Sequence, residues 1–270
     1  MAVIAASPAT RTTRLGPSTF QIAQRSLLRY MRTPQLIVLG TIQGAMFLLI
    51  FRYVFGGAIP IKGGIPYVDF LVPGFITTGV LFTGMNAATG AAEDLQQGFV
   101  DRLRSLPVPR LCFLTGRAIA DTAWNTWGLI VTAAIGFAVG FRIHGPVQDS
   151  LAAFGLCVVF GFAFEWLFIL LGLMAGTPQA AQGMALLVFP FTFVSSAYIP
   201  VSSMPGWMQA FAGHQPVTYM VDAVRSLSQG HAAELLIGHS TGYLVTGSLL
   251  WSLGFVVVFA PLAALKYSRS

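Results

Sequence analysis

Charged residues are scarce in this chain of 270 residues. Only 9% of them are Asp, Glu, Lys or Arg, whereas 55% are hydrophobic, and the mean hydropathy is +0.73. Soluble domains carry about 25% charged residues, so the composition excludes a soluble globular protein and predicts a membrane protein with several spans. The net charge of +6 comes from basic residues scattered between apolar runs. Because they form no continuous basic patch, they favour contact with anionic lipid headgroups over binding of nucleic acid.

Cysteines and catalytic motifs are also scarce. Cys112 and Cys157 fall at or inside apolar segments, where cysteine behaves as a small buried hydrophobic residue, so no disulfide or metal framework is expected. Neither lysine belongs to a glycine-rich phosphate loop, and no metalloprotease or serine hydrolase motif occurs. The sequence therefore predicts a chain that is not an enzyme and holds no cofactor of its own. Any work it performs must draw energy from another chain or from a gradient.

Apolar runs long enough to cross a membrane, about 20 residues each, recur along the chain. They predict an all-α polytopic membrane protein with a single transmembrane domain over residues 18–265. The six predicted spans lie near 34–55, 68–92, 113–141, 151–175, 181–199 and 241–265. Residues 1–17 are expected to form a flexible cytoplasmic tail, and residues 266–270 a short cytoplasmic C-terminus.

Two stretches outside these spans are predicted to lie at the membrane interface. Thr19–Arg32 has an apolar face opposite a basic face, which is typical of an amphipathic helix lying on the membrane. Residues 200–239 are too polar to span and contain Met204, Trp207 and Phe211 among prolines. This pattern predicts short outer-face helices with aromatic side chains at headgroup level.

The basic residues predict the orientation in the plasma membrane, since they are enriched on the cytoplasmic side. Placing the N-terminus inside leaves only four of the fifteen outside, namely Arg52, Lys62, Arg142 and Arg225. The other eleven are Arg11, Arg14, Arg25, Arg29, Arg32, Arg102, Arg104, Arg110, Arg117, Lys266 and Arg269. Both termini and the loop after the second span are therefore predicted to be cytoplasmic.

That loop, residues 93–110, is rich in charge although it lies between two apolar runs. Its apolar residues recur at helical spacing and are Leu95, Phe99, Leu103 and Leu106; its charged rim includes Asp101, Arg102 and Arg104. Pro107 and Pro109 end the pattern. A solvated connector would need no apolar stripe, so the pattern favours an amphipathic cytoplasmic helix that docks on a partner protein.

Among the charged residues within the predicted spans, three mark a candidate functional site, because charge is costly inside the membrane. Arg117 and Asp121 are one helical turn apart near the inner end of the third span, and Glu165 lies about ten residues from the inner end of the fourth, roughly 15 Å deep. Pairing among them would lower the cost of burial. The cluster is either a structural clamp or part of a translocation path.

A short helix is predicted before the last span. Pro216 is a typical first helical residue and Gly230 a typical residue after a helix end. Asp222 and Arg225, three residues apart, share one face. The residues themselves indicate only a capped helix on the outer face.

The order of these features resembles the type-2 ABC transporter permeases, and among them the daunorubicin-resistance group. The resemblance covers nearly the whole chain. In the loop it depends on Gly98, Asp101, Leu103, Leu106, Pro107 and Arg110. Near the end it depends on Pro216, Thr218, Tyr219, Arg225 and Gly230. Gln215 departs from the asparagine that the family often has before this proline.

The resemblance implies the membrane subunit of an ATP-driven exporter. It would pair with a second permease, identical or similar, and with two ATP-binding subunits that hold ATP and magnesium. The 93–110 loop would be the coupling helix, with Leu95, Gly98, Phe99, Asp101, Arg102, Leu103, Arg104, Leu106 and Pro107 as its residues. The abundance of Phe and Met, 22 and 9 residues, favours a hydrophobic drug-like molecule or a lipid as cargo. The alternatives are a polysaccharide exporter, a gradient-driven transporter or channel, and a membrane scaffold.

Overall fold

The computed structural model describes residues 15–57, 59, 61, 64–100 and 111–269, which are almost entirely helical and contain no strand. The expected all-α class is confirmed for this part of the chain. In chain order the α-helices are α1 (Leu15–Met31), α2 (Pro34–Ile50), α3 (Tyr67–Gln96), α4 (Leu111–Ala138), α5 (Val147–Ala175), α6 (Pro178–Leu186), α7 (Phe189–Phe193), α8 (Gly206–Ala212), α9 (Pro216–Gln229), α10 (His231–Ile237) and α11 (Thr241–Arg269).

Three of these helices are long and apolar enough to cross a membrane, namely α3, α5 and α11. A shorter apolar stretch, Gly40–Phe55, combines most of α2 with the π-helical turn Phe51–Phe55 that continues it. α4 has 28 residues but carries buried Arg117 and Asp121 in its first half. Long apolar helices of this kind agree with a membrane protein.

The fifth predicted span, 181–199, is not one continuous helix, because two short helices occupy this segment. α6 begins after Thr177, whose side chain accepts a hydrogen bond from Ala180 N, and ends at Leu186. α7 follows as a five-residue helix with Pro190 in its first turn. Proline has no N–H to bond the carbonyl of Leu186, so α6 cannot continue through this position.

The helix expected over 93–110 also differs from the structure in its first part. Glu93 and Leu95 belong to α3, which ends at Gln96. Gly98 has a φ of +66°, a left-handed conformation that favours glycine and ends a helix. Residues 101–110 lie outside the described residues.

Both ends of the chain differ from their expected boundaries. α1 begins at Leu15, so residues 15–17 are helical instead of part of a flexible tail; residues 1–14 lie outside the described part. At the other end α11 continues through Arg269. Helical structure therefore extends beyond the predicted domain limits at both ends.

The centre of the fold is the packing of α3 against α5, on which α9 and α11 also pack. α1 lies on α4, and α2 also contacts α4. The larger apolar cluster is formed mainly by α3, α5 and α9. A second cluster, which includes Ile22, Phe113 and Trp166, joins α1, α4 and α5 near the end of α3.

α9 was expected on the outer face, with the boundaries Pro216 and Gly230. The boundaries agree, but every residue from Met220 to Gln229 is buried. The helix lies inside the bundle against α3, α5 and α11. Its polar residues are therefore internal groups that need partners within the protein.

The start of α11 is capped by α10. The N–H and the hydroxyl of Thr241 both donate to Glu234 Oε1, each at 2.7 Å. The hydroxyl bond is the main cause that lowers the pKa of Glu234 to about 2, and the N–H bond adds to it. A carboxylate at a helix N-terminus also interacts favourably with the helix dipole.

Candidate functional site

Arg117, in α4, is the centre of a buried group of charges. Its Nη1 lies 2.6 Å from Asp94 Oδ2 in α3, and its Nε lies 3.2 Å from Asp121 Oδ2, one turn further along α4. All three side chains are 1–3% exposed. Buried charges persist only when they are paired. These residues, with Tyr30 and Glu165, form what we call the Arg117 cluster.

α1 supplies two further arginines to the end of α3. Arg25 donates from both Nη atoms to Asp94 Oδ1 at 3.3 Å. Arg29 pairs with Glu93 and lies 3.7 Å from Asp94 Oδ1. Both arginine side chains are 40% exposed, so each pair contributes at most about 1 kcal/mol. Together they hold the basic face of α1 against the acidic end of α3.

The remaining members of the cluster are Tyr30 and Glu165. The Tyr30 hydroxyl, near the end of α1, donates to Asp121 Oδ1 at 2.7 Å. Glu165, in α5, is 1% exposed and within electrostatic range of Arg117 and Asp121. Its Oε2 has no hydrogen-bond partner among the described residues. The structure therefore brings the three predicted residues together, although Glu165 makes no direct bond to the other two.

Sequence reasoning missed two members of this cluster, Asp94 and Tyr30. The sequence places Asp94 in the loop after the second span, and no pattern in it marks Tyr30. Their partners lie 23 and 91 residues away along the chain, so no local spacing marks them. The signal that could have led to Asp94 is that a buried Arg117 needs an acidic partner to compensate its charge.

We expect Glu165→Gln to change the free energy of unfolding by less than about 1 kcal/mol or to stabilise the protein. The reason is that glutamine keeps the shape of the side chain and carries no charge, whereas an ionised Glu165 would be a buried charge near Asp121 with no hydrogen-bond partner for its Oε2. Glu165→Ala should cost about 2 kcal/mol, because it leaves a cavity. Thermal unfolding in detergent micelles measures both. A large loss with Glu165→Gln would mean that Glu165 is charged and holds Arg117.

A second buried arginine lies at the other end of α3. Arg225, in α9, is fully buried, and its Nη1 lies 2.6 Å from Asp222 Oδ1. Its Nη2 donates to the Ser196 carbonyl at 2.8 Å, and its Nε donates to the Phe70 carbonyl at 3.1 Å. The guanidinium carbon lies 3.7 Å from the centre of the Phe70 ring. We call these four residues the Arg225 cluster; it joins α9, α3 and the segment after α7.

The other residues of the predicted motif around α9 lie at the same junction. Pro216 is the first residue of α9, and Gly230, with a φ of +67°, ends it. The Thr218 hydroxyl accepts a hydrogen bond from Ser196 N at 3.4 Å. Tyr219 and Tyr243 place their hydroxyls 2.9 Å apart, which links α9 to α11. The motif therefore forms a packed junction between helices.

The two clusters are separated by almost the whole length of α3. Phe70 and Asp94 are 24 residues apart, which is roughly 36 Å at 1.5 Å per residue. The hydrocarbon core of a bilayer is about 30 Å thick. Both buried arginines therefore lie near opposite ends of a helix that is long enough to span.

Among the predicted coupling residues, the structure describes Leu95, Gly98 and Phe99. Leu95 and Phe99 are partly buried and pack against the second apolar cluster. The Arg25 guanidinium carbon lies 3.7 Å from the centre of the Phe99 ring, and the Phe113 ring is 6.1 Å away. This half of the apolar stripe thus contacts α1 and α4 of the same chain. The rest of the set, Asp101, Arg102, Leu103, Arg104, Leu106 and Pro107, lies outside the described residues.

An uncharged cavity of about 430 Å³ lies between α2, α3, α4 and the α6–α7 region. Nine aromatic side chains line it, and they are Phe47, Phe51, Phe75, Phe82, Trp124, Trp127, Phe189, Phe193 and Tyr198. Its polar lining consists of threonine and amide side chains such as Gln43 and Asn86. We call it the aromatic cavity. It can hold an apolar or aromatic group and offer it a few hydrogen bonds.

Comparison with known proteins identifies the family of this chain. Residues 17–228 match the family model described as ABC-2 type transporter. The chain is 31% identical over 245 residues to the daunorubicin resistance ABC transporter permease protein DrrB1 of Streptomyces coeruleorubidus, which covers 90% of this chain and 83% of that protein. It is 27% identical over 250 residues to the probable doxorubicin resistance ABC transporter permease protein DrrC of Mycobacterium tuberculosis, with 91% and 86% covered.

A further relative is the inner membrane transport permease YadH of Escherichia coli, which is 26% identical over 205 residues, or 74% of this chain and 78% of that protein. The family match includes all but the first two residues of α1, both buried arginine clusters and all but the last residue of α9. Its extent confirms the resemblance seen in the sequence motifs. The chain belongs to the ABC-2 type transporter family and is the permease subunit of an ABC exporter.

Proposed function

We propose that this permease has six spans, with both termini in the cytoplasm, and that it works as a dimer with a second permease. Two ATP-binding subunits would complete the exporter and would hold the ATP and magnesium. The observation that carries this proposal is the family match over residues 17–228. The eleven-to-four distribution of basic residues supports the orientation.

In this orientation the Arg117 cluster lies near the cytoplasmic face and the Arg225 cluster near the outer face. The 93–110 segment is then the element that contacts the ATP-binding subunit. Its first residues are held to α1 by Arg25, which contacts Asp94 and the Phe99 ring. A displacement of this segment would therefore be passed directly to α1 and α4.

The cargo we propose is a hydrophobic or amphipathic molecule, either drug-like or lipid. The described lining of the aromatic cavity contains no charged side chain and nine aromatic ones. Aromatic and methionine side chains bind apolar groups of varied shape through large, adaptable contacts. The names of two relatives, which refer to daunorubicin and doxorubicin resistance, agree with such a cargo.

Reconstitution into vesicles tests this function. The permease would be purified with its ATP-binding subunits, and ATP-dependent transport of a fluorescent amphiphile, a labelled lipid and a labelled glycan would be compared. We expect transport of an amphiphile or lipid, and none when the ATP-binding subunits are omitted. Transport of the glycan alone would contradict the cargo, and transport driven by a gradient without ATP would contradict the mechanism.

We expect Phe99→Ala to uncouple ATP hydrolysis from export. The substitution removes the ring that packs between Arg25 and Phe113. Loss of a packed aromatic anchor typically costs about 2 kcal/mol or more at an interface, so the 93–110 segment would move without carrying α1. The measurement is the number of ATP molecules hydrolysed per molecule exported, which should rise.

The matched control is Phe20→Ala. Phe20 is a residue of α1, and its side chain is 68% exposed. The number of ATP molecules hydrolysed per exported molecule should therefore stay unchanged. If Phe99→Ala leaves the number of ATP molecules hydrolysed per exported molecule unchanged, the 93–110 segment does not transmit its movement through Phe99.

A further inference from the structure

α1 is fixed closely along the first part of α4. A Cβ atom at Gly116 would lie only 2.8 Å from the Thr19 carbonyl oxygen and 3.0 Å from Ile22 Cβ, so only glycine allows this approach. Ile22 itself is 6% exposed and packs in the second apolar cluster. α1 is therefore an integral helix of the bundle, in addition to any contact that it makes with the membrane surface.

The last turn of α1 brings Tyr30 to the wall of the aromatic cavity. Its ring stacks on the Trp124 ring, with 5.1 Å between the centroids and 13° between the planes. Trp124 is the cavity-lining residue of α4 that lies nearest along the chain to Asp121 and Arg117, whereas Tyr30 is not itself in the lining. The Tyr30 hydroxyl also donates to Asp121 Oδ1 at 2.7 Å, one turn before Trp124 in α4. Two different interactions thus hold one side chain against the end of the cavity nearest to the Arg117 cluster.

Tyr30 also lies where α1 turns into α2. The Thr33 hydroxyl donates to the carbonyls of Arg29 and Tyr30, at 2.9 and 3.2 Å, and fixes this turn. α2 then supplies Gly40, Thr41 and Phe47 to the cavity lining. A rotation of α1 would therefore move Tyr30 away from Trp124 and at the same time shift the wall of the cavity that α2 forms.

α1 is in turn joined to the segment that is proposed to receive the push from ATP hydrolysis. Arg29 pairs with Glu93, and Arg25 contacts both Asp94 and the Phe99 ring. From Phe99 through Arg25 and along α1 to Tyr30, every step is a direct contact or a continuous helix. Coupling between distant sites can travel through such a chain of contacts when one element has two positions.

From these contacts we infer that Tyr30, by holding Trp124 in place, keeps the cytoplasmic end of the aromatic cavity closed. We call this role of Tyr30 the latch. Tyr30 is a positioning residue: it holds Trp124 and Asp121 in place, and the 93–110 segment releases it by moving α1. The inference rests on the proposed function, since it takes the aromatic cavity to be part of the path of the cargo.

Accessibility of the cavity from the cytoplasmic side tests the latch without any transport. Thr83, in the cavity lining, would be replaced by cysteine and labelled in inside-out vesicles with a membrane-impermeant thiol reagent. The native Cys112 and Cys157 are buried, so the parent chain provides the baseline. Tyr30→Ala, which removes both the stack and the hydrogen bond, should raise the labelling rate by about tenfold or more.

Three further variants separate a latch from general loosening. Tyr30→Phe keeps the ring and loses the hydroxyl, so it should give an intermediate rate. Trp124→Ala should match Tyr30→Ala. Tyr53→Ala, at an exposed tyrosine in the Phe51–Phe55 turn, should leave the rate unchanged. An unchanged rate in Tyr30→Ala, or an equal rise in Tyr53→Ala, overturns the inference.

If Tyr30→Ala does not accumulate, cross-linking decides. A chain with Tyr30→Cys and Trp124→Cys would be joined by a short, reducible bifunctional thiol reagent and then reduced. The joined form should stop exporting and the reduced form should recover; normal export by the joined form overturns the latch. If the labelling rate of Thr83→Cys changes with the Tyr30 variants as expected, but the wild-type protein exports none of the tested cargoes, the latch is retained and the proposed function is rejected. If the wild-type protein exports a tested cargo, but Tyr30→Ala leaves the labelling rate unchanged, the proposed function is retained and the latch is rejected.

Discussion

Replacing Arg225 with alanine is expected to cost about 3–5 kcal/mol of the free energy of unfolding, the range for breaking a buried ion pair by removing one partner. The substitution leaves Asp222 buried without its 2.6 Å partner, and it leaves the carbonyls of Ser196 and Phe70 without a donor. It also removes the guanidinium that lies on the Phe70 ring.

Thermal or denaturant unfolding in mixed micelles would measure this loss. Arg225→Lys should be nearly as harmful, because an ammonium group cannot bond three acceptors in one plane. The control is Arg142→Ala, at an exposed arginine whose side chain donates only to the carbonyls of Phe137 and Phe141; it should change stability by no more than about 1 kcal/mol. In a double-mutant cycle, Asp222→Ala combined with Arg225→Ala should cost less than the sum of the two. Additive costs would mean that the pair makes no net contribution.

Replacing Arg117 with alanine is expected to have the second large effect, again about 3–5 kcal/mol. Asp121 would keep only the Tyr30 hydroxyl, and Asp94 would keep only the exposed Arg25 and Arg29. The carboxylates of Asp94 and Asp121 would remain buried close to each other and to Glu165, with less positive charge to compensate them. Stability should therefore fall, and the attachment of α1 to α3 and α4 should loosen.

Unfolding of Arg117→Ala and Arg25→Ala in the same micelles gives the comparison. Both arginines bond Asp94, but Arg117 is 3% exposed and Arg25 is 40% exposed. Arg25→Ala should therefore cost no more than about 1 kcal/mol. A second measurement is the proteolysis of α1, which should accelerate in Arg117→Ala. Equal stability losses in the two variants would show that burial does not set the strength of this cluster.

Several elements could be predicted from the sequence because their signals are local. The apolar runs that become α3, α5 and α11 depend only on composition and length, and α9 has its proline and glycine at the predicted ends. The i, i+4 pair of Arg117 and Asp121 follows from helical spacing alone. Gly98 and Pro190 were visible as well, but their effect on the predicted helices over 93–110 and 181–199 was not taken into account.

The sequence by itself determined that this chain is a membrane protein of helices with few, costly charges inside. Only the tertiary structure decided how those charges are compensated. Asp94 meets Arg117, Tyr30 meets Asp121 and Trp124, and Arg225 meets the carbonyls of Phe70 and Ser196 because α1, α3, α4 and α9 pack together. Pairing between residues that are 23 to 155 positions apart depends on the crossing of helices, which no local pattern specifies. For the same reason α9, polar enough to be placed at an interface, is buried: its polar side chains find partners that only the folded bundle provides.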